Sequence, residues 1–270
     1  MIEDMPQMEM DEITRIYRHV WKKGWGSIEI DELGFIRDLV RMYRPDRFLE
    51  IGMASGLSAG FIARFLEDEG GKAFTSIDHD DTFFGDKSKP NGFLFNKIYA
   101  NGTLDTELLK FKTSLDLDDL DDLGMRWQMA FIDANHQHPW PMIDTLALWP
   151  HLDGPRIVIH HDLQLYMKQD VMFGIGPKYL HDQFPERHRI ASMANNGNIF
   201  ALCMDMTREK LEEVAIRALK LPWSLRMPLQ PTYVAKIQAM FDMHYSPALR
   251  AHFDRCIETQ NRMDRFRSGL

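Results

Sequence analysis

Hydrophobic and polar positions follow two different periods along the chain. Residues 11–42 carry apolar side chains at helical spacing, with one break at "KKGWGS". From residue 44 onward, short apolar runs alternate with amphipathic stretches, as in "RPDRFLEIG", "AFTSID" and "RIVIHHD". After residue 207 the pattern is helical again, interrupted at "LPWSLRMPLQP". The pattern predicts an N-terminal helical cap (1–43), an α/β domain (44–206) and a C-terminal helical extension (207–270).

Strands and helices alternate within the central segment, which predicts a parallel, doubly wound sheet. We expect the third strand at Leu109–Thr113. Two alternating segments joined by "NNGN" predict an antiparallel hairpin near the end of this segment. The insertion from Asp81 to Thr103 is rich in aromatic residues and is expected to form a lid or an oligomer contact.

Composition narrows the class of protein. The 270 residues are 44% hydrophobic and carry a formal charge of -8, without a long basic block, so we expect no nucleic-acid partner. No segment is apolar enough for a membrane span, and the two cysteines lack any paired spacing, which indicates a cytoplasmic protein. The helical additions are as suited to a homo-oligomer contact as to a substrate pocket.

Polar residues close the predicted strands, at the edge where open α/β sheets bind ligands. These residues are Glu50, Asp78, Thr113, Ser114, Asp133, His161 and Asp162. The first turn, "EIGMASGLS", lacks the G-x-G-x-x-G pattern of a dinucleotide site, since residue 54 is Ala and residue 57 is Leu. Asp78 is placed to accept hydrogen bonds from ribose hydroxyls. Ribose without a pyrophosphate cradle points to S-adenosylmethionine.

The motifs resemble those of a known enzyme class. "FLEIGMASGLSAGFIA" and "TSIDHDD" resemble the first two motifs of class I S-adenosylmethionine-dependent methyltransferases. "FIDANHQHPWPMID" with "IVIHHD" is similar to the catechol and macrolide-sugar O-methyltransferase-like group, which is related to cephalosporin hydroxylase. This resemblance implies a Rossmann-like seven-stranded sheet with an antiparallel last strand. It also implies O-methylation of a small hydroxylated acceptor, such as a sugar or a secondary metabolite.

The resemblance also implies roles for individual residues. Gly52 and Gly56 would line the methionine part of the cofactor, with Glu50 near its ammonium group and Ser58 at the helix start. Asp78 and His79 would hold the ribose, and Thr113 or Ser114 would lie near the adenine. Asp133 would lie where cofactor and acceptor meet. In catechol-type enzymes the equivalents of Asp133, His161 and Asp162 bind magnesium; with a histidine among them, this set is closer to a transition-metal site.

Several histidines are candidates for catalytic, pocket-lining or structural positions. His136 stands where catechol-type relatives carry a lysine base, and a neutral imidazole would serve as a general base at physiological pH. The alternative is that His136 hydrogen-bonds the loop backbone or Asp162. We expect His138 to line the substrate pocket, His160 to pack inside the fold, and His151 and His181 to lie at the surface.

Two other functions remain open at this stage. The same type of sheet supports NAD-dependent oxidoreductases, and a chain with this turn could also be a non-catalytic cofactor-binding or assembly module. The missing glycine pattern opposes the first alternative. The intact loop after the fourth strand opposes the second.

Overall fold

Two helices precede the sheet, as the apolar spacing predicts. The computed structural model describes residues 7–26, 28–168, 171–192 and 197–268. Helix α1 spans Gln7–Val20 and helix α2 spans Ile30–Tyr43. Helix α2 buries Leu33, Ile36, Leu39 and Val40. It ends at Arg44, which adopts a left-handed conformation before Pro45, a residue that cannot continue the helical hydrogen bonding.

Seven strands form a single sheet. They are β1 (Arg47–Ile51), β2 (Ala73–Asp78), β3 (Asp105–Lys110), β4 (Trp127–Ile132), β5 (Leu152–His160), β6 (Arg189–Ala191) and β7 (Phe200–Cys203). Their order is β3-β2-β1-β4-β5-β7-β6. Strands β1 to β5 are parallel, whereas β7 is antiparallel to both β5 and β6. The predicted Rossmann-like sheet with an antiparallel last strand is confirmed; residues 193–196 of its hairpin lie outside the described residues.

Helices cover both faces of the sheet and form two apolar cores. They are α3 (Leu57–Asp68), α4 (Phe95–Ile98), α5 (Leu117–Asp121), α6 (Trp140–Leu148), α7 (Leu165–Lys168), α8 (Val171–Gly174), α9 (Gly176–Gln183), α10 (Arg208–Leu219), α11 (Pro231–His244) and α12 (Pro247–Ser268). One core joins helices α1 to α4 to the sheet. The other core joins helix α6 and the four helices from α9 through α12 to the sheet. The C-terminal extension therefore shares a core with the sheet.

The third strand begins and ends earlier than predicted. It spans Asp105–Lys110 rather than Leu109–Thr113. Phe111 has a φ of 59° and is 70% exposed, so the chain leaves the sheet at that residue. The error has a physical cause: β3 is an edge strand whose side chains are only partly buried, so its sequence lacks a strong apolar pattern.

The insertion between β2 and β3 is built into the fold. Phe83, Phe95 and Tyr99 are buried in it, and it contains helix α4. The backbone N–H groups of Gly92 and Leu94 donate to the carbonyl groups of Ala54 and Ser55, at 2.9 Å each. The segment is therefore fixed to the loop after β1. Its role as a lid or an oligomer contact stays a prediction.

Helix lengths and hydropathy also bear on membrane association. None of the described helices combines the length and apolarity needed to cross a bilayer.

Candidate active site

The loops that follow β1, β4 and β5 start side by side at the carboxyl edge of the sheet. The N–H of Gly52 donates to the carbonyl of Ile77 at 2.9 Å, and the N–H of Asp133 donates to the carbonyl of Ile51 at 2.9 Å. The N–H of His161 donates to the carbonyl of Ile132 at 3.2 Å. These bonds extend the parallel ladders by one residue. They bring the predicted strand-end residues together.

The two glycines of the first turn allow close packing between chain segments. Gly52 has a φ of 102°, and a Cβ atom there would lie 2.3 Å from the carbonyl oxygen of Asp133. Gly56 has a φ of 81°, and its Cβ would lie 2.8 Å from the Cα of Gly92. Any side chain at either position would collide with backbone. The glycines therefore let the turn fit against the β4 loop and the insertion.

Five of the predicted cofactor-binding residues are open to solvent at this edge, wholly or in part: Gly52, Asp78, His79, Thr113 and Asp133. Asp78 accepts hydrogen bonds from the N–H groups of Ala54 at 2.9 Å and Asp80 at 3.0 Å. Burial opposes ionisation of Asp78, but hydrogen bonds from His79 and these N–H groups outweigh it and lower its pKa. Asp78 is thus an ionised acceptor, suited to hydroxyl groups.

The other predicted cofactor residues are buried: Glu50, Gly56, Ser58 and Ser114. The carboxyl group of Glu50 accepts hydrogen bonds from the hydroxyls of Ser58 and Ser76 at 2.5 Å each. Burial raises the pKa of Glu50 to about 8, so the group is protonated at neutral pH. A direct contact with a ligand ammonium does not fit a neutral, enclosed carboxyl group, and this assignment of Glu50 is corrected to a structural one.

Ser114 is likewise committed inside the fold. Its hydroxyl donates to Oδ1 of Asp144 at 2.5 Å. Burial raises the pKa of Asp144 to about 7. Thr113 remains at the edge, where its hydroxyl donates to Asp116 at 2.8 Å and caps the one-turn helix Ser114–Asp116. Of the two residues expected near the adenine, Thr113 is therefore the accessible one.

A cluster of two carboxylates and a histidine occupies the center of this edge. The Nε2 atom of His136 lies 3.1 Å from Oδ1 of Asp133 and 3.0 Å from Oδ2 of Asp162. The three side chains are 18%, 22% and 10% exposed, respectively, so a small molecule could reach them. His136 does contact Asp162, as the alternative expects, and its role as a base stays a prediction. The loop between β4 and α6 supplies both Asp133 and His136.

Protons balance the charge in this cluster. Burial opposes protonation of His136, but the hydrogen bond and charge of Asp133, with the charge of Asp162, raise its pKa. Burial likewise opposes protonation of His161, yet Asp133 and its other partners raise its pKa well above 6.5. Burial would raise the pKa of Asp133, but His161 and His136 hold it well below its usual range. Both imidazole rings therefore hold a proton more tightly than a free histidine does, because the carboxylates of Asp133 and Asp162 face them.

This charge state changes the role expected for His136. At pH values below its raised pKa the ring is a cation and cannot accept a proton. The general-base role of His136 stays a prediction, for a ring whose pKa lies above its reference value. His136 becomes a base only at higher pH, when its proton has left.

The donor atoms that converge differ by one residue from the predicted metal ligands. Atoms of Asp133, His136 and Asp162 all lie within 4.8 Å of one another. His161 instead directs Nε2 to Oε2 of Glu32 at 3.0 Å, with Nδ1 3.4 Å from the two aspartates. The donor set of two carboxylates and one imidazole fits a divalent metal. A metal would have to replace the proton on His136.

Sequence reasoning missed two residues that hold this cluster. Glu32, from helix α2, is fully buried against His161. Asn198 donates from Nδ2 to Oδ1 of Asp162 at 3.0 Å. A signal for Glu32 was available, since it lies four residues before Ile36 on the apolar face of α2, where an unpaired acid would be costly. Asn198 offered no such signal.

Four other histidines also have definite positions. His160 is buried, stacks on Phe200 and has its pKa lowered to about 3 by burial, which confirms its packed role. His138 is buried against Tyr179 and not exposed to a pocket, so its predicted role as a substrate wall is wrong. His151 is 2% exposed rather than at the surface. His181 is partly exposed and pairs with Asp182 at 3.0 Å.

The central part of the chain is similar to a known protein family. Residues 49–163 match the family model described as a methyltransferase domain. The match runs from within β1 to just past the end of β5 and includes Asp133, His136 and Asp162. No protein of curated function matches the chain in sequence.

Several solved structures are similar in outline. An O-methyltransferase from Bacillus cereus in complex with SAH has 15% identity and a TM-score of 0.46, over 75% of this chain and 93% of that one. The O-methyltransferase TomG from Streptomyces achromogenes, involved in tomaymycin synthesis and in complex with SAM, has 16% identity and a TM-score of 0.46, over 75% and 92%. An SAH-bound Podospora anserina methyltransferase, PaMTH1, has 14% identity and a TM-score of 0.45, over 73% and 88%.

Proposed function

We propose, from the methyltransferase domain at residues 49–163, that the chain is an S-adenosylmethionine-dependent O-methyltransferase of a small hydroxylated acceptor, such as a sugar or secondary metabolite. One observation carries the proposal. The carboxylates of Asp78 and Asp133 flank the turn at Gly52, and the His136 cluster adjoins it at the same edge. This is the arrangement that a methyl donor and a hydroxyl acceptor need: a ribose-binding acid beside an acid–base group.

The cofactor would supply an electrophilic methyl group. Asp78 would bind the ribose hydroxyls, with Gly52 and Thr113 bordering the same cleft. Asp133 and Asp162 would hold the acceptor hydroxyl beside Nε2 of His136, which lies about 3 Å from both carboxylates. Deprotonated His136 would take the acceptor proton at Nε2 as the oxygen–carbon bond forms and the carbon–sulfur bond breaks. SAH and the methyl ether would then leave.

The charges of the cluster are compatible with a protonated His136 and with a bound metal ion. His136 already provides the positive charge that two adjacent carboxylates require. Asp133, His136 and Asp162 are the residues that would hold a divalent ion, magnesium or a transition metal, and such an ion would lower the pKa of an acceptor hydroxyl.

Cofactor binding is the first test. Isothermal titration of the full chain with S-adenosylmethionine should give saturable binding, and titration with NAD should give none. Asp78→Ala should weaken binding about 10- to 100-fold, since a hydrogen bond to a charged group contributes about 1.5–3 kcal/mol. Asp80→Ala is the matched control, because Asp80 is a nearby, more exposed acid. Unchanged affinity in Asp78→Ala would contradict the cofactor assignment.

Transfer is the second test. Hydroxylated and amine acceptors are incubated with cofactor, and release of SAH and product mass are measured. Products methylated only on oxygen are expected. Methylation of amines alone would overturn the choice of acceptor, and cofactor binding without any transfer would favor the non-catalytic module. Sedimentation of the same protein tests the predicted homo-oligomer.

A further inference from the structure

A second cluster of ligand-forming side chains lies away from the candidate active site. It combines Asp118 of α5, His151 of the one-turn helix before β5, and His244, the last residue of α11. Nε2 of His244 lies 2.6 Å from Oδ1 of Asp118, and Nε2 of His151 lies 3.3 Å from the same oxygen. One atom from each residue lies within 4.8 Å of the others.

This cluster is at the opposite edge of the sheet from the candidate active site. His151 directly precedes β5 and His161 directly follows it. Strand β5 bulges against β4, and its ends, Leu152 and His160, pair with Trp127 and Ile132 of β4. Those two residues are five positions apart, so the ends of β5 are separated by about 17 Å at about 3.3 Å per residue. A ligand held by Asp118, His151 and His244 would therefore take no part in chemistry near Asp133.

His151 has the surroundings of a metal-binding histidine. Its side chain is 2% exposed, and its second ring nitrogen, Nδ1, lies 3.3 Å from Oδ2 of Asp121. Nδ1 is buried and has no partner of hydrogen-bond geometry within the described residues. A ring fixed through Nε2 would keep its proton on Nδ1, facing Asp121. Ligating histidines usually present their second nitrogen to a carboxylate in this way.

The local charges favor a cation. Neighboring acids have basic partners: Asp116 pairs with Lys236, and Asp121 with Arg126. In the described part of the chain, the ion-pair partners of Asp118 are the two histidines alone.

We propose that Asp118, His151 and His244 bind a divalent transition metal of the zinc type, which fastens the C-terminal extension to the methyltransferase domain. Two imidazole nitrogens and one carboxylate oxygen form a donor set that suits Zn²⁺ better than Mg²⁺. The side chain of Asp118 is 33% exposed, which gives an ion access from solvent and room for a water ligand. The three ligands come from segments more than 30 residues apart, so the ion would cross-link α5, the start of β5 and α11.

The test uses the whole chain with His136→Ala, which removes a ligand from the other cluster. The protein is stripped with a chelator and titrated with Zn²⁺, with stoichiometry from native mass spectrometry and melting temperature from calorimetry. We expect one ion per chain and a higher melting temperature. Adding His244→Ala should weaken binding at least 100-fold, as should Asp118→Asn, which preserves side-chain shape. Asp121→Asn should weaken it about 10-fold or more.

His181→Ala is the matched control for His244→Ala. The two histidine side chains are 21% and 20% exposed, and each pairs with an aspartate. His181→Ala should leave zinc affinity unchanged. Absence of a bound ion, or an affinity that neither His244→Ala nor Asp118→Asn reduces, would overturn the proposal and leave the cluster as a set of ion pairs. The proposal is supported if Asp118→Asn binds zinc more weakly while its metal-free form melts at the same temperature as the metal-free His136→Ala parent. This comparison holds whether or not His244→Ala folds.

Discussion

Removal of the Glu32 carboxylate should destabilise the protein and its candidate active site together. Glu32 and His161 are both fully buried, and Nε2 of His161 lies 3.0 Å from Oε2 of Glu32. Removing one partner of a buried ion pair costs about 3–5 kcal/mol. In Glu32→Ala, His161 still lies 3.4 Å from Asp133 and Asp162, so we expect the lower end, about 3 kcal/mol.

That loss should be large enough to measure by calorimetry. For domains of this size, 1 kcal/mol shifts the melting temperature by about 2–4 °C, so Glu32→Ala should melt about 6–12 °C lower. Glu32→Gln keeps a neutral acceptor at the same place and should lose about half as much, since charge-assisted hydrogen bonds are roughly twice as strong as neutral ones. Asp31→Asn, an exposed neighbor on the same helix, is the control and should shift the melting temperature little.

The same variants test whether the N-terminal cap serves the site. Because His161 contacts Asp133, methyl transfer by Glu32→Gln should slow under conditions where the protein is fully folded. A melting temperature for Glu32→Ala within about 1 °C of the parent would refute the buried pair as a source of stability. If folded Glu32→Gln transfers methyl groups at the normal rate, the Glu32–His161 pair has no role in catalysis.

Three further predictions concern the same edge of the sheet. The kcat of methyl transfer should rise with pH through an apparent pKa above 6.5, because His136 must lose its proton; Asp162→Asn should move that pKa down, and Asp80→Asn should not. Between pH 4.5 and about 8 the native state holds the Glu50 proton more tightly than the unfolded chain, so this group makes stability fall as pH rises; Glu50→Gln should flatten that fall in denaturant titrations. Gly52→Ala should cost about 1–3 kcal/mol more than Gly70→Ala, since both have positive φ but only Gly52 meets backbone.

The strand ends were predictable because their signal is local. An apolar run that stops at a polar residue marks where a buried strand reaches the ligand edge, and Asp78 and Asp133 were found that way. Side-chain burial at those ends was not predictable, because it depends on neighbors distant in sequence. Glu50 faces Ser76 across two parallel strands, and that pairing exists only once β1 and β2 are in register.

The burial and protonation of the histidines were also difficult to predict from sequence. His160 could be assigned to the interior because strand residues alternate between faces. The burial of His138 and His151 could not be predicted in this way. His138 packs against Tyr179 of α9 and His151 lies beside His244 of α11, and both partners are distant in sequence. The state of His136 depends on three charges brought in from the ends of β4 and β5. These charges come close enough to shift the pKa of His136 only in the folded protein.

A proton and a metal ion would compete for one atom, Nε2 of His136, and this competition separates two mechanisms. If His136 is the base, a chelator should leave kcat unchanged at every pH, and the rise of kcat with pH should disappear in His136→Ala. If a metal at Asp133, His136 and Asp162 activates the acceptor, the chelator should abolish transfer, most clearly above the pKa of His136, where the proton no longer blocks metal binding. Zinc at Asp118, His151 and His244 would not confuse the result. Its removal should lower the melting temperature and leave kcat unchanged, because that cluster lies at the far edge of the sheet.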